Sequence, residues 1–241
     1  MHNVQQSGDL MLDLVSPTTF SELVSLTCTP DDFMSSGTDL SWIYQLAKRS
    51  LDVCGALIGL MLFAFLLPFV ALLILCEDGG PIFYRQTRIG HRGRPFTIYK
   101  LRSMMVNADA YLAQHPELLD RWQKNGKLHA DPRITRIGNF LRRSSIDELP
   151  QLFNVLRGEM SLVGPRAIQP SELAAFQELA DLRQMVKPGL TGLWQVSGRS
   201  TTDYEQRCVL DCTYVMECSF WTDMQILLKT LPVVFHRTGA Y

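Results

Sequence analysis

Val53-Cys54-Gly55-Ala56-Leu57-Ile58-Gly59-Leu60-Met61-Leu62-Phe63-Ala64-Phe65-Leu66-Leu67-Pro68-Phe69-Val70-Ala71-Leu72-Leu73-Ile74-Leu75-Cys76 is a run of 24 residues without a charge. Lys48 and Arg49 precede it, and Glu77 and Asp78 follow it. A spanning helix needs about 20 apolar residues, so the run is long enough to cross a bilayer. It starts too far from the first residue, and is too long, to be read as a signal peptide. Pro68 complicates the spanning reading. A proline in a helix interior removes one backbone hydrogen bond and clashes with the carbonyl four residues back. A break there leaves pieces of roughly 22 Å and 13 Å, neither of which crosses a core about 30 Å thick. Arg85, Arg88, Arg92, Arg94, Lys100 and Arg102 follow the run, with no acid between Asp78 and Asp109. Basic flanks at both ends favour placing both on one side of a membrane. A re-entrant helix–break–helix meets both constraints, and a kinked transmembrane helix remains the competing reading.

A second stretch, Arg142-Arg143-Ser144-Ser145-Ile146-Asp147-Glu148-Leu149-Pro150-Gln151, carries the chemistry. Leu149, Leu152, Phe153, Val155 and Leu156 recur at helical spacing, and Gly158 supplies a stop. Proline fits only a first helical turn, so Pro150 places the helix start near Ile146 or Asp147. Two adjacent carboxylates then stand at a helix N-terminus with two arginines upstream. Such a field keeps an aspartate ionised and attracts phosphate. An ionised carboxylate beside bound phosphate can act as a nucleophile toward phosphorus. A structural reading competes: Ser145-x-x-Glu148 matches a capping box, and Ser144-x-x-Asp147 a looser one.

The 241 residues are enough for one or two domains with a buried core. The net charge of −1 hides an asymmetry. Residues 1–47 hold six acids and no lysine or arginine, so the remainder sets all 23 basic residues against 18 acidic ones, a net of +5. A mildly basic body suits phosphates or lipid headgroups. No nucleic-acid-binding motif is present, and no nucleic acid partner is expected. The six cysteines form no C-x-x-C pair, which favours reduced thiols over a zinc site or disulfides.

The rest of the chain divides coarsely. Residues 1–40 read as an acidic, disordered tail, 41–78 as the membrane helix, and 79–241 as a catalytic domain on the membrane surface. Ile82–Tyr84 and Phe96–Tyr99 are expected strands around a Gly- and Arg-rich loop, and Leu193–Val196 another strand. Helices are expected over Met104–Leu119, Ser171–Met185, Tyr204–Val215 and Phe220–Val234. Trp194, Phe220, Trp221 and Phe235 are read as core, with a seat in the bilayer interface as the alternative. The expected fold is α+β and mostly helical, with a few short strands.

The ordered motifs resemble those of the bacterial sugar transferases, the monotopic phosphoglycosyl transferases. They are Lys48-Arg49…Asp52, Phe83-Tyr84-Arg85-Gln86-Thr87-Arg88-Ile89-Gly90, and Tyr99-Lys100-Leu101-Arg102-Ser103-Met104. Asp131-Pro132-Arg133-Ile134-Thr135-Arg136-Ile137-Gly138 and Ser145–Leu152 come next. Gly158–Arg166, Pro188-Gly189-Leu190-Thr191-Gly192 and Gly198-Arg199 complete the set. The resemblance covers about Lys48 to Tyr241. It implies a ping-pong transfer in which Asp147 attacks the β-phosphate of a UDP-sugar, releases UMP and passes sugar 1-phosphate to undecaprenyl phosphate. Glu148 matches the second carboxylate, implicated in Mg²⁺ binding or proton handling. Lys100, Arg102, Arg142, Gly198, Arg199 and Asp211 match positions around phosphates, nucleotide, metal or lipid. Pro68 matches the helix-breaking proline, which favours the re-entrant, monotopic arrangement at the cytoplasmic face of the inner membrane. Membrane lipids are implied partners, and a homodimer follows by analogy. Ala167 departs from the family's usual proline after Gly-Pro-Arg. The ending Arg237-Thr238-Gly239-Ala240-Tyr241 looks like exopolysaccharide-initiating members, which points to galactose or glucose 1-phosphate, with an N-acetylated sugar as the alternative. The acidic stretch stands where larger members carry further transmembrane helices.

Overall fold

The apolar run becomes part of one long helix, α1 (Trp42–Asp78), which a computed structural model carries through Pro68 without interruption. The model describes residues 42–125, 128, 130–176, 179–197 and 204–236. The acidic stretch 1–40 lies outside them. The expected division of the helix into two at Pro68 is therefore not seen. A proline costs the helix one hydrogen bond, and small adjustments of the backbone can absorb its clash without ending the helix. Packing holds both halves here: Phe63 before the proline and Val70 and Ile74 after it join one cluster with Leu101 and Leu141.

Only one stripe of α1 is buried. Asp52, Ala56, Phe63, Val70 and Ile74 recur at helical spacing and face the body. Leu57, Ile58, Met61, Leu62, Phe65, Phe69 and Leu72 stay more than half exposed on the other side. A continuous apolar face of this size is unfavourable in water and marks contact with lipid or protein. The polar residues of the helix are docked rather than free. Arg49 donates to the carbonyls of Val155 and Leu156, each at 2.7 Å, and Asp52 accepts from the Leu162 amide at 2.8 Å and the Ser161 hydroxyl at 2.9 Å. At the far end, Glu77 accepts from the amides of Arg136 (2.7 Å) and Ile137 (3.1 Å). Both ends of α1 are thus bonded to the same body.

After α1 come β1 (Phe83–Ile89) and β2 (Pro95–Leu101), an antiparallel hairpin in which Phe83 pairs with Leu101 and Ile89 with Pro95. The expected strands are present and extend further toward the loop than their β-branched cores suggested. Helices α2 (Ala108–Ala113) and α3 (Pro116–Asn125) replace the single helix expected from Met104. Then follow α4 (Arg136–Ser144), a 3₁₀ turn (Ile146–Gln151) and α5 (Leu152–Arg157). Two three-residue strands, β3 (Ser161–Val163) and β4 (Gly189–Thr191), pair in parallel. Between them lie a 3₁₀ segment (Pro170–Phe176) and α6 (Leu179–Arg183). The last elements are α7 (Leu193–Val196), α8 (Tyr204–Glu217) and α9 (Phe220–His236).

Two expectations fail here. Leu193–Val196 is a helical turn, not a strand; the neighbouring Gly189–Thr191 takes the strand because its partner β3 is there to pair with it. Phe220 and Trp221 are not core: they are 40% and 74% exposed, while Asp223 and Ile226 of the same helix face inward. Trp194 is half-buried, and the Phe235 side chain lies outside the described residues. The described cysteines are all free thiols, with Cys208 and Cys212 buried.

Candidate active site

Along β2, Ile98 and Leu101 are buried on opposite faces, and Lys100, two residues after Ile98, shares the Ile98 face and is half-buried. Its ammonium lies 2.7 Å from Glu148 Oε1. Immediately beyond, Ser103 accepts from Arg142 Nε at 2.8 Å. This contact depends on Gly138, because a Cβ there would come within 1.9 Å of the Ser103 carbonyl oxygen. Helix α4 therefore backs directly onto the end of β2 and delivers Arg142, in its last turn, to the same place.

Asp147 follows from a sharp corner. Ser145 ends α4 and opens the 3₁₀ turn with φ 57°, the left-handed region. The capping-box reading is overturned, because the Ser145 side chain makes no capping bond. The Ser144 hydroxyl instead donates back to the carbonyls of Phe140 (2.9 Å) and Leu141 (3.1 Å). Left-handed geometry aims the Ser145 hydroxyl away from the N–H groups it would cap, and Glu148 is drawn to cations instead. The helical segment does start at Ile146, but as a 3₁₀ turn that contains both acids and Pro150. The α-helix expected there begins only at Leu152, and Gly158 (φ 79°) closes it as the glycine predicted.

Arg166 completes the group, with its guanidinium 2.9 Å from Glu148 Oε1. Its loop is held by backbone packed on backbone. A Cβ on Gly189 would come within 2.1 Å of the Gly164 nitrogen, and one on Gly192 within 2.1 Å of the Gly164 oxygen. The Gly164 amide donates to Thr191 O at 2.9 Å and the Gly189 amide to Pro165 O at 2.8 Å. The two glycine motifs thus exist to bring these loops together.

Burial opposes ionisation of both acids, and the cations divide them. At Glu148 burial raises the pKa, but Arg166 and Lys100 together pull it well below the usual carboxylate range. At Asp147, only 6% exposed, burial prevails over Lys100 and Arg142, and the neighbouring Glu148 charge adds to it. Its pKa is pushed up to about 6. Among the described residues none donates a hydrogen bond to the Asp147 carboxylate. Near pH 7 both acids are mainly ionised, and Asp147 is the more basic. Arg88, pushed down to about 10 by burial and then by Arg166, stays protonated.

Glu148 lines a cleft with Arg88, Lys100, Gln151 and Arg166, and Asp147 stands next to it in the chain without itself forming part of the lining. Arg88 Nε and Gln151 Nε2 are buried with no hydrogen-bond partner among the described residues. Buried donors left unpaired are costly. Arg88, Lys100 and Arg166 face Glu148 in the lining, while Arg88 is also paired with Glu172 at 3.3 Å. Both features suit an anion with several oxygens. No cluster of three metal-ligating side chains occurs among the described residues. Mg²⁺ needs only one or two carboxylates when substrate phosphates supply other ligands. Glu148 meets that requirement: it is ionised, and only its Oε1 carries the contacts to Lys100 and Arg166.

The structure thus brings Lys100, Arg142, Asp147 and Glu148 together. Arg102 stands apart: it donates to Asp78 at 2.7 Å and to Pro81 O at 2.7 Å, clamping the end of α1. Asp211 is buried against Arg183 at 3.1 Å and does not line the cleft. Pro68 lies within α1, and Gly198 and Arg199 fall outside the described residues. Sequence reasoning did not single out Arg88, Gln151 or Arg166 as site residues. Arg166 follows a Gly-Pro break, which marks a loop but not its target, 18 residues back in the chain.

The site thus sets an acid pair beside a cation-lined cleft, on a body that carries a long apolar helix. Residues 43–237 match the family described as bacterial sugar transferase, and the chain belongs to that family. It is 48% identical over 203 residues to the UDP-galactose-lipid carrier transferase of Erwinia amylovora, covering 82% of this chain and 42% of that protein. It is 45% identical over 201 residues to the undecaprenyl-phosphate galactose phosphotransferase of Salmonella typhimurium, covering 82% and 42%. The chain therefore spans less than half the length of these two relatives. It is also 42% identical over 200 residues to the exopolysaccharide production protein ExoY of Rhizobium meliloti, covering 81% and 88%.

Proposed function

We propose that this chain transfers hexose 1-phosphate from a UDP-sugar to undecaprenyl phosphate, through a covalent intermediate on Asp147. The observation that carries the reading is a buried, ionised carboxylate without hydrogen-bond donors among the described residues, next in the chain to Glu148, which lines a cleft with three cations and two residues bearing unpaired N–H donors. A carboxylate in that state is available as a nucleophile, and the cleft is built for phosphate oxygens.

In the first step an Asp147 oxygen bonds to the sugar-bearing phosphorus, and the bond to the bridging oxygen breaks. UMP leaves with that oxygen and its electron pair. In the second step an oxygen of the lipid phosphate bonds to the same phosphorus, and the bond to Asp147 breaks. The products are undecaprenyl diphosphate–sugar and a regenerated carboxylate. Arg166, Lys100 and Arg88 offset the charge on the transferring phosphate, and Arg142 adds a further positive charge near Asp147. Glu148 holds Lys100 and Arg166 in place. Mg²⁺, when bound, would be held by Glu148 with the donor's phosphates and would lower the charge that Asp147 approaches.

The apolar face of α1 supports a monotopic seat, because both of its ends bond to one body and so lie on one side. We assign that side to the cytoplasm, at the inner membrane, where UDP-sugars are made. Galactose or glucose is the proposed sugar, and the product would start an exopolysaccharide. A homodimer is compatible with this reading. The test incubates the membrane-bound protein with undecaprenyl phosphate, Mg²⁺ and a panel of UDP-sugars. UMP and a lipid-linked sugar phosphate are expected. Release of UDP instead would identify a sugar-only glycosyl transfer, and no nucleotide release with any sugar would leave a silent scaffold.

A further inference from the structure

Asp211 sits on α8, 1% exposed, with one oxygen 3.1 Å from Arg183 Nε. Its other oxygen, Oδ1, is buried with no hydrogen-bond partner among the described residues. A half-satisfied buried carboxylate contributes little to stability, because desolvation offsets the attraction to its partner. The arrangement is better explained by where it puts Arg183. That guanidinium, 3% exposed and stacked 4.7 Å from the Phe176 ring, donates through Nη2 to the main-chain carbonyl of Arg166. Arg166 is the residue whose side chain reaches Glu148, and its backbone bridges to Gly189.

We infer that Asp211 and Arg183 are positioning residues for the transfer site, a buried pair that grips the Arg166 carbonyl and so fixes its guanidinium over the cleft. The inference rests on the proposed phosphate transfer for its catalytic meaning, but its structural content stands alone. Asp211 touches no substrate in this scheme. It does not line the cleft, and it acts through two residues in series, Arg183 and then Arg166. Arg183 must be an arginine, because one planar fork has to serve a carboxylate and a carbonyl at once, which a lysine ammonium does poorly.

The test uses the full chain in membranes, with Asp211→Asn and Arg183→Lys each made alone and together with Arg166→Ala. Either single change is expected to lower the turnover of UMP release by roughly ten- to hundredfold, the range for residues that orient a site's ligands. It should add little in the Arg166→Ala background, since both act through that side chain. Independently of turnover, hydrogen exchange at the Gly164 and Gly189 amides should speed up in both variants. Losses that multiply with Arg166→Ala would show that Asp211 acts on substrate directly and overturn the inference. Unchanged exchange at the two amides in a folded variant would overturn it as well. Should Asp211→Asn fail to fold, Arg183→Lys keeps the buried charge and carries the same readouts. A wild-type protein that releases no UMP sinks the proposed function, while the exchange result still decides the positioning role.

Discussion

Asp147 and Asp223 are both buried aspartates, and they are treated in opposite ways. Asp223, 0% exposed in the first turn of α9, is saturated. It accepts from Lys48 Nζ at 2.7 Å, from the Tyr214 hydroxyl at 2.7 Å and from the Tyr44 hydroxyl at 3.0 Å. Lys48 is held further by the Val163 carbonyl at 3.0 Å. That cluster pins the start of α1 to β3, α8 and α9. Asp147 has cations nearby but no described donor on its oxygens. A carboxylate whose lone pairs are all engaged is a fastener. One that is charged only above about pH 6, because burial outweighs its cations, and whose lone pairs are left open can form a bond to something else. Function here is visible as incomplete satisfaction.

The contrast can be broken by exchanging which property each residue supports. Asp147→Asn should reduce UMP release by about 10⁴-fold or more, as removal of a covalent nucleophile does, while the protein stays folded. Its stability should even rise above pH 6. Asp147's pKa is raised in the folded state, so its stabilising contribution is complete below the unfolded value near 4 and is lost as pH climbs through about 6. Thermal unfolding of the variant at pH 8 is expected a few degrees above wild type. A lower melting temperature would show that Asp147 is a fastener too.

Asp223→Ala should do the reverse. It leaves Lys48 partly buried without its partner and should cost roughly 3 kcal/mol, read by denaturant unfolding. Turnover in the protein that remains folded should change far less than in Asp147→Asn. Next in size, Arg166→Ala should lower UMP release about 100-fold, comparable with loss of one donor to a developing oxyanion. Its effect on stability should be small, since the arginine side chain is 31% exposed. The smallest effect is on the pH profile. The rate should fall as pH drops through about 6, where Asp147 takes up a proton. Lys100→Met removes the strongest cation acting on Asp147 and should move that limb to higher pH. A limb that stays in place would mean another group sets it.

Local signals carried much of the fold. Pro150 located the helix start, Gly158 its end, and β-branched and aromatic residues both strands of the hairpin. The same local logic failed at Ser145, because a capping box assumes an ordinary extended N-cap and the chain turns left-handed there. It failed at Leu193–Val196, where the strand forms just upstream at Gly189–Thr191 and the apolar residues that follow it turn helical. The motif Lys48-Arg49…Asp52 was visible, but its work is mechanical: these side chains dock α1 on β3, α5 and α9. The acid pair was legible from its helix start and arginines. The residues that complete it were not, because Arg166 and Arg183 reach their partners through the β3–β4 crossover. No spacing rule encodes a contact made by two three-residue strands brought together by glycines.

The docking of both ends of α1 sets a height. Were its outer face seated in lipid, as proposed, the helix would become a gauge: Arg49, Asp52, Glu77 and Asp78 would fix how far Asp147 stands from the plane of the lipid phosphates. One residue of helix is about 1.5 Å, comparable with the tolerance of a displacement at phosphorus. Under the proposed function, a lipid substrate would need no deep groove to find the site. It would diffuse in two dimensions, already at the right level, and the protein would have only to wait at that depth.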